Sequence, residues 1–283
     1  MYIRALALFL ISRLHLPFPS DFDLSLLHHP QCRIFNRSLS QDKCGACSAF
    51  AVATAFSIGR CVQDGLDVIP SPHRVFDCAG GDCEKGSVMA RVSAVLENVE
   101  DMDGGTPAEF GVPCVAKHRP PMRGWTTPLH LKYDDELMLK AELFVYHNPI
   151  MVVVDPDADM FLYTWSGERL KQPVYHITGP PLKAHVMVAL GWGSVPEPHW
   201  IVKNSWGDVW GDGGLGKIHP KDVSIYYALT ARGRWADWIV LYGVMIGIIG
   251  SMFAIDTVVW GVRQHWLWGG LKPRSKGVDH SLA

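Results

Sequence analysis

The chain has 283 residues, with 26 Lys and Arg against 28 Asp and Glu and a formal charge of −2. That balance excludes a strongly basic nucleic-acid binder, and the length allows one large or two modest domains. Hydrophobic content, at 48%, is high for a soluble enzyme, and much of it lies at the C-terminus. The cysteines number seven; in a secreted protein an odd count suggests bridged pairs plus one free, reactive thiol.

Met1 to about Phe18 carries Arg4 and then the apolar run Ala5–Ile11, as a signal peptide would. Ser12–Leu16 offers no small-residue cleavage pattern, so the remnant of a longer N-terminus is the alternative. Asn36-Arg37-Ser38 fits the N-glycosylation acceptor pattern. The stretch Gln41-Asp-Lys-Cys-Gly-Ala-Cys-Ser-Ala-Phe50 opens an alanine-rich run to Arg60. That run predicts a helix with Cys47 at its N-terminus, where unpaired N–H groups and the helix dipole favour a thiolate. Cys44-Gly-Ala-Cys47 also reads as a redox Cys-x-x-Cys pair, which should follow a strand in a βαβ unit.

Ser87 to Glu97 has helical spacing, with Val88, Val92, Val95 and Leu96 on one core-facing side. Gly104 to Cys114 breaks regular structure and ends a first lobe. Asp134–Phe144 reads as a helix with acidic residues at its start, and Pro149–Val154 as a buried strand. Asp155–Asp159 lacks the Gly and Glu of a calcium loop and reads as a solvated helix start. Val186–Leu190 and Trp200–Lys203 are short apolar strands that argue a β-rich second lobe. His185 and Asn204 fall about 138 and 157 residues after Cys47. His176 and the other scattered histidines show no partner in sequence, so surface or core roles are their default.

Trp238–Trp260 is apolar or small up to Ile255, long enough at ~1.5 Å per residue to span a bilayer core of about 30 Å. Trp235 and Trp238 on one side, and Trp260, Trp266 and Trp268 on the other, suit interfacial belts. The basic residues Arg263, Lys272, Arg274 and Lys276 favour a cytoplasmic tail over 261–283. These features predict a single-pass protein with a lumenal or extracellular N-terminal domain, in an endolysosomal or secretory-pathway compartment.

Gln-x5-Cys within Cys-Gly-x-Cys-x-Ala-Phe, followed by Ala184-His185-Val186, Ala189-Leu-Gly-Trp-Gly193 and Lys203-Asn-Ser-Trp-Gly207, resembles the papain-like cysteine proteases. Leu16-Pro17, Ser20–Asp23 and Pro30–Arg33 resemble the cathepsin B-like group. The resemblance implies an α+β two-lobe fold, with a helical lobe over 19–125 and a β-barrel-like lobe over 126–232, complete before the apolar C-terminal span. It implies Cys47 as nucleophile, His185 as base, Asn204 as its orienter, and Gln41 with the Cys47 N–H as oxyanion donors. Gly86, Ala184, Trp206 and Ala228 would contact substrate, with Trp206 also shielding the His185–Asn204 bond. The implied disulfides are Cys32–Cys61, Cys44–Cys83 and Cys78–Cys114; a Cys44–Cys83 bridge would forbid the redox reading.

Five departures from the family pattern stand out. Ser48 replaces the tryptophan after the nucleophile, and Lys85 replaces the glycine before Gly86. His118-Arg-Pro-Pro121 is followed by no histidine pair or cysteine, so the occluding loop of cathepsin B is missing or shortened. Ala228 takes the place of a glutamate, implying an apolar preference two residues upstream of the cut. The family's propeptide has no room before Phe18, so the start is incomplete or activity is restrained differently. Peptide or protein substrates and cystatin-like inhibitors are the implied partners; no cofactor, metal or nucleic acid is. The competing reading is a catalytically silent, membrane-tethered protein that binds peptides or partners.

Overall fold

A computed structural model describes residues 18–27, 31–96, 109–111, 114, 125–131, 136–168 and 171–231. In chain order the elements are β1 (Phe22–Asp23), α1 (Arg33–Asn36), α2 (Cys47–Asp64), α3 (Pro72–Cys78), α4 (Met89–Val95), β2 (Trp125–Leu131), α5 (Glu136–Phe144), β3 (Ile150–Val154), β4 (His185–Gly193), β5 (His199–Lys203), β6 (Leu215–Ile218) and β7 (Val223–Ala231). The expected signal segment before Phe18, the span at 238–260, the tail at 261–283 and His118–Pro121 lie outside the described residues. Among the described residues, no helix is long and apolar enough to cross a membrane.

Helix α2 runs for eighteen residues and is buried on nearly every side, as its alanine-rich composition allows. Phe50, Phe56 and Ile58 are almost wholly buried, each contributing roughly 1.5–3 kcal/mol by removal of apolar surface from water. Gly65 in the left-handed region ends the helix, donating its N–H back to Cys61 O. α3 and α4 pack against one side of α2, and β4 against another.

The sheet is antiparallel, in the order β2-β7-β3-β4-β5-β6, with β1 added beside β4. β3 and β4 are buried along their whole length, which is why Ile-Met-Val-Val-Val and Val-Met-Val-Ala-Leu read as continuous apolar runs. Gly191 lets β1 approach, since a Cβ there would stand 1.9 Å from Phe22 O. β1 thus carries residues 22–23, on the helical side of the expected division, into the sheet.

Cys32–Cys61, Cys44–Cys83 and Cys78–Cys114 are bridged, and Cys47 is free. Each closed loop contributes about 2–4 kcal/mol. With Cys44 bonded to Cys83, the Cys44–Cys47 redox pair does not form.

Two local expectations are corrected. Val88 is 58% exposed and precedes α4, so Val92 and Leu96, buried by their one-turn spacing, carry that helix's core contact. The acidic stretch 155–159 is not a solvated helix start throughout. Asp157 is buried and accepts hydrogen bonds from Tyr175 Oη and from the N–H groups of Met160, Thr178 and Gly179. Burial pushes its carboxyl up, but those donors outweigh it and hold the pKa at about 2.

This carboxylate ties the loop after β3 to the segment leading into β4. Its contribution is complete above the ordinary value of 3.8 and disappears as pH falls through about 2. Asp157→Asn is expected to lower Tm at pH 7, and the gap from wild type should narrow below pH 3.8 and close as pH falls through about 2. Thermal unfolding across pH checks this.

Candidate active site

Cys47 is the first residue of α2, and no side chain caps that helix. The backbone N–H groups of Val186, Ser48 and Cys47 itself favour its thiolate, against burial. α2 packs against β4, the strand that His185 opens. Gly45 makes the preceding turn possible: its N–H donates to Cys83 O at 2.8 Å, and a Cβ there would stand 2.8 Å from that oxygen.

His185 opens β4 and Asn204 directly follows β5. The antiparallel register pairs Val188 with Lys203, so the two side chains share one end of the sheet. His185 Nε2 donates to Asn204 Oδ1 at 2.7 Å, and the Ser205 N–H donates to the same oxygen at 2.8 Å. With Nε2 protonated, the lone pair of the neutral ring is on Nδ1. Trp206 stacks on the His185 ring at 4.4 Å, and Phe161 stacks on the outer face of Trp206 at 4.2 Å. His185 is 4% exposed beneath this cover.

Gln41 is also buried. Ser205 Oγ donates to Gln41 Oε1 at 2.7 Å, while Gln41 Nε2 donates to Cys44 O at 2.8 Å. Holding the carbonyl end fixes the amide so that its nitrogen points toward the nucleophile segment, with a second N–H left to donate. Ser205 thus fixes both the Gln41 amide and the Asn204 side chain that holds His185. The sequence shows it only as the middle of Asn-Ser-Trp.

Burial sets the protonation. It pushes the Cys47 thiol above its ordinary 9.0, against the three N–H groups, and drives His185 down to about 4, against the Asn204 hydrogen bond. A lone charge on either group is disfavoured. Moving one proton from sulfur to Nδ1 leaves the pair neutral overall and sets opposite charges side by side, where their attraction is strong.

The other expected residues are dispersed around this centre. Ala184 is exposed just before His185. Gly86 lies in the loop after Cys83, but its N–H donates to Asp82 O at 2.6 Å and its carbonyl accepts from the Asp82 N–H. Ala228 is fully buried in β7 between Ile150 and Leu129, so its contact with a substrate is not among the features brought together. Ser48, at the place of the family tryptophan, is hydrogen-bonded to Ser87 at 2.5 Å. Lys183 Nζ donates to Glu84 O at 2.7 Å, bridging the segment before His185 to the loop before Gly86. Sequence reading missed Phe161, Ser87, Asp82 and Lys183, whose partners are distant or backbone and leave no local pattern. Asn36 is exposed at the end of α1.

The Papain family cysteine protease profile matches residues 18–228. The chain belongs to that family. Macrodontain-1 of Ananas macrodontes is 30% identical over 198 residues, covering 67% of this chain and 85% of that protein. Cathepsin B-like cysteine proteinase 4 of Caenorhabditis elegans is 26% identical over 243 residues, covering 71% of this chain and 70% of that protein. Among solved structures, proCathepsin B S9 from Trypanosoma congolense superposes with a TM-score of 0.62 at 24% identity, covering 78% of this chain and 80% of that one. Bromelain from Ananas comosus in complex with the E64 inhibitor gives 0.58 at 24% identity, covering 76% and 99%. The protease therefore has the α+β papain-like fold, with relatives named both cathepsin B-like and bromelain-like.

Two outcomes follow from this geometry. The acid limb of kcat/KM should fall at about pH 4, where the neutral Cys47–His185 pair gains a proton, and the alkaline limb should lie above 9.0; a pH–rate profile checks both. Gln41→Ala should lower kcat by about 10²-fold, the effect of losing one oxyanion donor. Ser205→Ala should lower it less, with KM little changed in either, as steady-state kinetics would show.

Proposed function

We propose that this protease is an endopeptidase using Cys47, His185 and Asn204, of cathepsin B-like type, with an apolar preference two residues upstream of the cut. The observation that carries this is the packing of the α2 N-terminus, where Cys47 is the free thiol, against β4, whose first residue His185 is held by Asn204. In the proposed reaction the proton first moves from Cys47 Sγ to His185 Nδ1. The thiolate attacks the peptide carbonyl carbon, a C–S bond forms, and the oxyanion accepts from the Cys47 N–H and Gln41 Nε2. The C–N bond then breaks as His185 gives its Nδ1 proton to the leaving amine. Water, deprotonated by His185, attacks the acyl-enzyme, the C–S bond breaks, and the carboxylic product leaves.

The apolar preference rests on the family resemblance alone, in which Ala228 takes the place of a glutamate and so leaves no carboxylate to pair with an arginine. The lack of an occluding-loop signature after His118 favours endopeptidase over exopeptidase action. The three disulfides support an oxidising, secretory or lysosomal compartment. Tethering through residues 238–260, a glycan on Asn36 and inhibition by cystatin-like proteins extend the same reading. The silent, partner-binding reading is favoured by one feature: Asp82 and Lys183 occupy backbone groups along the wall that carries Gly86 and so take them from a peptide substrate.

Fluorogenic peptides differing only in the residue two upstream of the cut test the proposal. Leu, Val or Phe there should give kcat/KM at least roughly tenfold above Arg, the scale of one apolar-pocket discrimination. Equal or faster cleavage after Arg would overturn the preference. No cleavage of any peptide by folded, disulfide-intact protein would favour the binding reading. Lys183→Ala should lower KM several-fold at constant kcat by releasing the bridge to Glu84.

A further inference from the structure

We propose that His176, His219 and Asp222 form a binding site for a divalent transition-metal ion, Zn2+ foremost, with Glu197 orienting His176. The three residues each offer one ligand atom, and these atoms lie within 4.8 Å of one another. They come from two segments held side by side. Tyr175 bridges to Ile218 in parallel, the Tyr175 N–H donates to Lys217 O at 2.8 Å, and the His219 N–H donates to Tyr175 O. That pairing sets His176 and His219 against each other, with ring centroids 5.1 Å apart. Asp222 ends the short turn after His219, and its Oδ2 accepts from the Ile177 N–H at 3.3 Å, leaving Oδ1 for a cation.

The tautomers suit coordination. Glu197, in the hairpin between β4 and β5, accepts from His176 Nε2 at 2.8 Å. A carboxylate on one ring nitrogen leaves the lone pair on the other, the arrangement that orients metal-bound histidines. His219 Nδ1 accepts from the Lys221 N–H at 3.1 Å, so its lone pair is on Nδ1, and a cation there exchanges a backbone hydrogen bond for coordination. Zinc bonds of ~2.0–2.1 Å place tetrahedral ligand atoms about 3.4 Å apart, a closure of little more than an ångström from the separations here. Two imidazoles and a carboxylate with all three residues partly exposed suit a borderline ion keeping a water, rather than Ca2+ or Mg2+.

The cluster is separate from the catalytic centre. Ile218 pairs with Trp200, whereas Leu215 pairs with Lys203 beside Asn204, so the site lies at the other end of β5 and β6 from His185. A bound ion would join the segment after Gln172 to the β6–β7 turn and, through Glu197, to the β4–β5 hairpin. Its role would be to brace the β-rich lobe.

The test uses the full chain with Cys47→Ala, which removes the catalytic thiol as a competing zinc ligand. Titration calorimetry with ZnCl2 at pH 7.5 should give one ion per chain and a rise in Tm. Adding His176→Ala or His219→Ala should weaken binding at least roughly tenfold and abolish the rise, and Glu197→Gln should weaken it about 10- to 100-fold. Thermal unfolding without metal confirms that each variant is folded. No binding by the Cys47→Ala protein, or binding unchanged by both histidine substitutions, would overturn the site.

Discussion

The N-terminus of α2 rests on the first residues of β4, and the candidate active site depends on that contact. The helix supplies Cys47 and its own backbone donors; the strand supplies His185 and the Val186 N–H, which favours the thiolate. Because α2 is apolar on nearly all sides and β4 is buried along its length, neither can shift without opening the core. The placement of the Cys47 end of α2 against β4 is thus secured by the same burial that stabilises the fold, with the Cys44–Cys83 bridge fixing the turn that leads into the helix.

That security has an electrostatic consequence. A half-buried thiol and a buried imidazole both resist ionisation, so the site works only if the two charges form together. Asn204 orients the ring, Ser205 fixes both Asn204 and Gln41, and Trp206 under Phe161 keeps water off the pair. The donors facing the sulfur are backbone groups already in place before any substrate arrives. Such preorganised dipoles stabilise developing charge without reorganisation cost.

Much of this was legible in the sequence, and the reasons are physical. Cys47 stood out because an alanine-rich helix start is a distinctive place for a thiol, and β3 to β5 because buried strands leave unbroken apolar runs. Asp157 was misread, since nothing local distinguishes a solvated aspartate from one whose donors lie about twenty residues away. Phe161 over Trp206, and Lys183 reaching Glu84, were equally invisible because each joins distant segments. His176 looked partnerless for the same reason: Glu197, His219 and Asp222 meet it only once the segment beside β6 is in place.

The most direct test is labelling by an epoxysuccinyl inhibitor, comparing wild type with Cys47→Ala and His185→Ala. Labelling confined to Cys47 and lost in both variants is the predicted result, because the reactive sulfur exists only as a partner of the histidine. Absence of labelling in folded, disulfide-intact wild type, or undiminished labelling of His185→Ala, would contradict the paired nucleophile.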